Sequence, residues 1–166
     1  MTNTLLADLY THMEWADAAV WKAVFAQGGE DSKLRDYLAH LHMAQRAFLR
    51  AWRGEPRDAE YPRFENAAAI LAWARPNYAE ARRHLASLSE AQLTEPLIVP
   101  WADLLEKRLG RRPGPTTVAD TALQVALHTT YHRGQVNARL RALGGEPPLV
   151  DYIAWIWFGK PAPEWP

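Results

Sequence analysis

The feature that most constrains this chain is an apolar seam at helical spacing along residues 118–143, interrupted in its middle by two histidines one turn apart. Val118, Ala122, Val125, Val136, Leu140 and Leu143 mark the seam, with His128 or Thr129 and then His132 between them. Residues three and four apart share a helix face, so such a stripe calls for burial against other elements. Both histidines are therefore expected to face a bundle interior. Histidines at i and i+4 project together, with Cβ atoms roughly 5–6 Å apart, and both imidazoles can reach one metal ion. An exposed helix gains little from such a pair, because each ring has modest helix propensity and little charge at neutral pH. Burial leaves every ring nitrogen in need of a partner. A metal satisfies one nitrogen on each ring and a hydrogen-bond acceptor takes the other.

Helical periodicity also organises the rest of the chain. A first segment runs from about Asn3 to Ala26, with Leu5, Leu9, Trp15, Ala18, Ala19 and Val24 among its apolar positions and Gly28-Gly29 as its stop. Asp31 or Ser32 can cap a second helix reaching about Trp52, with the stripe Leu34, Tyr37, Leu41, Ala44, Phe48 and Ala51. Gly54-Glu-Pro56 through Pro62 is a loop. A third helix spans about Glu65 to Leu88, and Pro76 should kink or divide it. Pro96 to Pro100 is the only strand-like stretch, and Gly110 to Pro115 is a loop. The fourth helix starts near Thr116 or Thr117 and stops at Gly144-Gly145, ahead of Pro147-Pro148. The Trp-rich tail, Tyr152 to Phe158, is expected to fold back. Four amphipathic helices with almost no β signal predict an all-α fold, a four-helix bundle with short extra tail elements.

A length of 166 residues, 48% of them hydrophobic, suits one packed domain over 1–166. Lys+Arg and Asp+Glu balance at 19 each, and Arg is scattered, so the basic stripe expected of a nucleic-acid binder is missing. With no cysteine there are no disulfides, thiolate metal sites or cysteine nucleophile. Histidine and carboxylate remain as ligands. The first residues, Met1 to Asp8, lack the basic and apolar regions of a signal peptide, and no apolar run approaches the roughly 18 residues of a membrane span. These features predict a soluble, cytoplasmic protein that binds no membrane.

Two ligands on one helix rarely hold a metal alone, and the second helix offers His40 and His42. These two point about 200° apart, His40 beside the Tyr37, Leu41, Ala44 and Phe48 stripe and His42 with Leu38, Leu49 and Trp52. Periodicity does not choose between them. Among the other histidines, His12 reads as a helix-packing residue that could also face the site, and His84 as solvated beside Arg82 and Arg83. Gln135 lies close to one turn beyond His132 and could orient a water or substrate. Arg133 and Gly134 read as structural, the glycine suggesting close packing of a neighbour, since it costs about 1 kcal/mol relative to alanine within a helix. Trp15, Trp52, Trp101, Trp155 and Trp157 read as core or interface residues, and any near the mouth of the site could line a substrate pocket.

The run His128-Thr-Thr-Tyr-His-Arg-Gly-Gln135, followed by Leu143-Gly-Gly and Pro147, resembles the DinB/YfiT-like metalloenzymes. The second-helix run Leu38-Ala-His-Leu-His-Met-Ala-Gln-Arg-Ala-Phe-Leu49 and the first-helix Trp15-Ala-Asp17 are similar to motifs of the same family. Three positions depart from its pattern: Asp17 stands for Asn, Gln45 for a common Glu, and Gln124 where some relatives have a further histidine. The resemblance implies a four-helix bundle with a three-histidine metal site, here His40, His128 and His132, frequent homodimers, and zinc or nickel as the metal. Chemistry alone makes Ni²⁺, Cu²⁺ and Zn²⁺ all suitable for an all-imidazole site.

Three neutral imidazoles leave a coordination shell incomplete, the pattern of catalytic sites. A water there would ionise towards roughly pH 7, and a thiol would be held in its attacking thiolate form. The resemblance favours the thiol, since some relatives are S-transferases or isomerases using low-molecular-weight thiols such as bacillithiol or mycothiol. The leading expectation is a metal-dependent thiol S-transferase or hydrolase acting on a small molecule, with Gln135 or His12 orienting the reactants. The alternative is a non-catalytic, metal-binding, dimeric stress-response protein. DNA binding is suggested only by the family's damage-inducible name, and zero net charge opposes it.

Overall fold

The computed structural model describes residues 3–27, 29–56, 58, 60 and 62–166. The order of elements is α1 (Asn3–Gln27), α2 (Ser32–Trp52), α3 (Ala67–Ala74), α4 (Pro76–Ser87), α5 (Glu90–Leu93), β1 (Pro96–Leu97), α6 (Ala102–Leu109), β2 (Thr116–Thr117), α7 (Val118–Ala142) and α8 (Tyr152–Trp157). The expected all-α bundle is formed by α1, α2, the α3–α4 pair and α7, with α7 lying along both α2 and α1. Gly28, half of the expected stop of α1, lies outside the described residues, as do three positions of the 54–62 loop.

Local chemistry sets the ends of the helices. Asp31 caps α2 by accepting from the Leu34 amide, and Asn66 caps α3 by accepting from that of Ala69. Pro76 divides the third helix as expected, taking the first position of α4, where its missing N–H costs nothing. Thr117 and Asp120 form a reciprocal capping box that starts α7. The extended stretch is shorter than expected: β1 pairs antiparallel with β2, Pro96 opposite Thr117 and Leu97 opposite Thr116. That pairing closes a flap carrying α6, whose left-handed cap is Gly110 at φ 69°.

Polar rungs show that α2 and α7 run antiparallel. Arg139 pairs with Asp31 at 2.6 Å, the Gln45 amide donates to Thr129 Oγ1 at 3.1 Å, and Trp52 Nε1 donates to Thr121 Oγ1 at 2.9 Å. Position rises along one helix as it falls along the other. Two apolar clusters fill the bundle, one around Leu6, Tyr10, Leu49, Trp52 and Val125, the other around Trp21, Leu34, Leu38, Ile70 and Leu140. Between them, at the middle of each long helix, lies a buried polar layer of Asp17, His42, Gln45, Thr129 and Arg133.

The inner faces of two helices differ from expectation. On α2 the buried stripe is Leu34, Leu38, Leu41, His42, Gln45, Leu49 and Trp52, while Tyr37, Ala44 and Phe48 are only partly buried. The helix is flanked on several sides, so its most apolar edge is not its innermost. On α7 the seam holds at Val118, Ala122, Val125, Val136 and Leu140, but its middle is Thr129 and Arg133; His128 and His132 are half-buried at the rim, and Leu143 is exposed. In the tail, α8 folds back through buried Ala154 and Trp155, while Trp157 and Phe158 face outward. Among the described residues, no helix is long and apolar enough to cross a membrane.

Candidate metal centre

The antiparallel pairing of α2 with α7 brings His40 opposite His128 and His132. One ring nitrogen of each lies within 4.8 Å of the others, and the three form a group suited to a metal ion. His40 is exposed and its two partners are half-buried, so the group sits at the rim of the bundle. The Nε2 atoms of His128 and His132 face one another at 3.1 Å.

Gln135, one turn along, organises His132. Its Oε1 can only accept, so it takes the hydrogen of His132 Nδ1 at 2.6 Å and leaves Nε2 as the bare acceptor turned to His128. Two ring nitrogens converging at such a distance repel unless a proton or a cation lies between them. Tyr131 packs edge-on against His132, with ring centroids 5.0 Å apart.

The surroundings disfavour a charged imidazole here. Burial first, and then the neighbouring His132 and His40, push the His128 imidazole down to about 4. Burial, followed by His132, lowers His40 as well. Both rings are therefore neutral at pH 7, the ligating form. Among the described residues no carboxylate belongs to the group, so three ring nitrogens alone would leave a divalent ion its full charge and an open position.

What turns the two α7 histidines outward is the buried layer one residue further on. Thr129, next to His128, is held by Gln45; Arg133, next to His132, donates to Asp17 Oδ1 at 2.8 Å. A step of one residue is 100° of rotation, so anchoring 129 and 133 inward sets 128 and 132 at the rim. Asp17 also accepts from the Tyr78 hydroxyl at 2.6 Å and from the Gln45 amide at 3.3 Å. Sequence reasoning did not foresee this layer or the place of Tyr78 in it; the signal it could have used is Arg133 falling on a seam that is otherwise apolar.

His42 does not join the cluster. It is fully buried, its Nε2 accepts from Trp21 Nε1 at 3.1 Å and its Nδ1 donates to Gln45 Oε1 at 3.0 Å. Both nitrogens are engaged, and burial lowers its pKa. His12 lies elsewhere: it is buried, bonds the Val150 carbonyl through Nε2 at 2.9 Å, and packs among Trp15, Tyr152 and Trp155. It lines a cavity with Thr130 and Gly134, about 120–160° round α7 from His128, and so lies on a different face of that helix from the cluster. His84 is not simply solvated; it stacks flat on Trp52 with centroids 6.4 Å apart. The close packing expected at Gly134 is not seen among the described residues: beyond the backbone of its own helix, a Cβ there would meet no atom within 4 Å.

An all-α bundle with three imidazoles converging from two of its helices defines a helical protein with a candidate metal centre. The DinB superfamily model matches residues 2–136, and the chain belongs to that family. The match includes His40, His128, His132 and Gln135, and ends before the Leu143-Gly-Gly turn. No curated protein matches the chain.

Proposed function

We propose that His40, His128 and His132 hold one divalent transition metal, zinc or nickel, and that the protein is a metal-dependent thiol S-transferase or hydrolase acting on a small molecule. The observation that carries this reading is the convergence of three ring nitrogens within 4.8 Å, with no carboxylate and with His128 kept neutral. A metal held there supplies an open position at which a thiol or a water loses its proton near neutral pH. The remaining work falls to the chain. Gln135 fixes the tautomer and the plane of His132, and Tyr131 packs edge to face with that ring. The Gln135 amide, which reaches Tyr131 Oη at 3.5 Å, remains able to donate to a reactant.

We also read the protein as a homodimer. Leu123, Leu127 and Tyr131 form an exposed stripe at i, i+4 and i+8 of α7, and Leu149, Ile153, Trp157 and Phe158 of the tail are exposed as well. Gly134, at which no neighbouring element among the described residues comes close, falls on the same stripe.

The test is elemental analysis of untagged protein purified without a metal column, followed by a thiol-consumption assay with a model electrophile. About one metal per chain, lost in His128→Ala, with turnover lost in His132→Ala, supports the enzyme. One metal per chain with no turnover of any thiol or ester would favour the non-catalytic metal-binding alternative. A protein that takes up neither zinc nor nickel overturns both.

A further inference from the structure

The groove between α2 and α7 does not end at the histidines. Following α2 forward from His40 leads past Ala44 to Phe48; following α7 backward from His128 leads to Gln124 and Thr121. Phe48, Thr121 and Gln124 border a cavity of about 550 Å³, closed on its far side by the β1–β2 pair and α6. Its lining is mainly apolar: Phe48, Leu97, Val99, Trp101 and Leu105. Phe48 and Trp101 meet edge to face, with centroids 4.9 Å apart. That volume lies in the range of small-molecule sites, which are apolar with a few placed polar groups.

The polar groups of the lining are largely spoken for. Asp120 accepts from Thr117, Thr116 Oγ1 donates to the Leu97 carbonyl, and Thr121 Oγ1 is bonded to Trp52 and to the Thr117 and Val118 carbonyls. Gln124 and Arg112 border the cavity, and neither has a hydrogen-bond or ion-pair partner among the described residues. Gln124 lies one turn from His128 on the same face of α7, about 6 Å along the axis. The cavity thus has an aromatic floor and, at its α7 border, an unengaged amide one helical turn from His128; the histidines themselves are not in its lining.

The geometry points to this cavity as the binding site for the apolar ring of a small molecule, lodged against Phe48 and Trp101 with its polar end directed past Gln124 to His128. The direction of the polar end rests on the metal reading of the cluster; the ring site does not. The substrate class is then an aryl or cycloalkyl compound whose reacting group stands about four bonds from its ring, since a tether of that length spans one helical turn.

The test has two arms. Metal-free protein is titrated with 4-phenylbutan-1-ol and with hexan-1-ol while the Trp101 indole N–H is followed by NMR. Nickel-loaded protein is titrated with 4-phenylbutane-1-thiol and with butane-1-thiol by calorimetry. The phenyl alcohol is expected to shift Trp101 saturably and to bind at least tenfold more tightly than hexanol. Phe48→Ala and the exposed Gln124→Trp should each weaken it at least tenfold, the second without any change to the core. On the nickel form the phenyl thiol should bind at least tenfold more tightly than butanethiol. Equal binding of ring and alkyl alcohols, or phenyl binding untouched by both variants, overturns the ring site. Ring binding without any advantage of the phenyl thiol on the nickel form overturns its joint use with the cluster. Ring binding in a protein that takes up no nickel upholds the ring site and overturns the metal reading, so the two fail separately.

Discussion

Asp17 on α1 and Arg133 on α7 form an ion pair at 2.8 Å with side chains only 4% and 3% exposed. Such a pair is costly to break from one side, because the surviving charge stays buried without a partner. Asp17→Ala is expected to destabilise the protein by about 3–5 kcal/mol, read as a fall in the urea midpoint at constant slope. Asp17→Asn, which can still accept from Tyr78, should cost less. A loss under about 1 kcal/mol for Asp17→Ala would mean that water reaches the pair.

The bond between Gln135 and His132 makes a different kind of prediction. Gln135→Leu removes the acceptor that fixes the His132 tautomer but leaves all three imidazoles in place. Metal affinity, measured by competition with a chelator, should fall roughly 10–100-fold while the melting temperature of the metal-free protein barely moves. An unchanged affinity would remove Gln135 from any part in the site.

Asp31 carries the pH dependence whose sign is clearest. The Arg139 guanidinium, and then the Leu34 amide, hold its carboxyl down to about 2. A folded-state value below the unfolded value of about 3.9 means the unfolded chain takes up the proton first as pH falls. The stabilisation is present in full above about pH 4 and is lost as pH falls towards about 2. In Asp31→Asn the acid-unfolding curve should flatten over that window, with about 1 kcal/mol or less of change at pH 7, since Asn also caps helices well. Parallel curves for wild type and variant would show that the pair with Arg139 does not persist in solution.

The exposed α7 stripe gives the fourth test. Leu127→Glu places a charge at its centre, at a position 59% exposed in the single chain. Light scattering should find the wild type dimeric and the variant monomeric, with the helical circular dichroism of the two alike. A wild type that is monomeric at all concentrations would discard the dimer reading.

The four main helices were legible from their apolar period and from a few terminal signals: Pro76, the Asp31 cap and the Thr117 start fall where the sequence places them. The short α6 was not legible: with no buried residue of its own, it has no stripe to read. The inner stripe of α2 was misplaced by the weight given to Tyr37, Ala44 and Phe48, when polar His42 and Gln45 occupy the centre. Burial there is made affordable by mutual hydrogen bonds, which no apolar count detects. The same layer explains the displaced seam of α7: Thr129 and Arg133 bury because partners wait on α1 and α2. Between His40 and His42, which periodicity leaves open, the structure places His40 beside His128 and His132 and engages both nitrogens of His42 in hydrogen bonds.

The position of the histidine cluster at the rim has a kinetic consequence. An ion bound by exposed His40 and its two half-buried partners would enter and leave directly through solvent, with no helix displaced. Its exchange with a chelator should then accelerate in proportion to chelator concentration, without levelling off at an opening rate of the bundle. The identity of the bound ion would follow the ions around the protein throughout its lifetime, and would not be settled at the moment of folding.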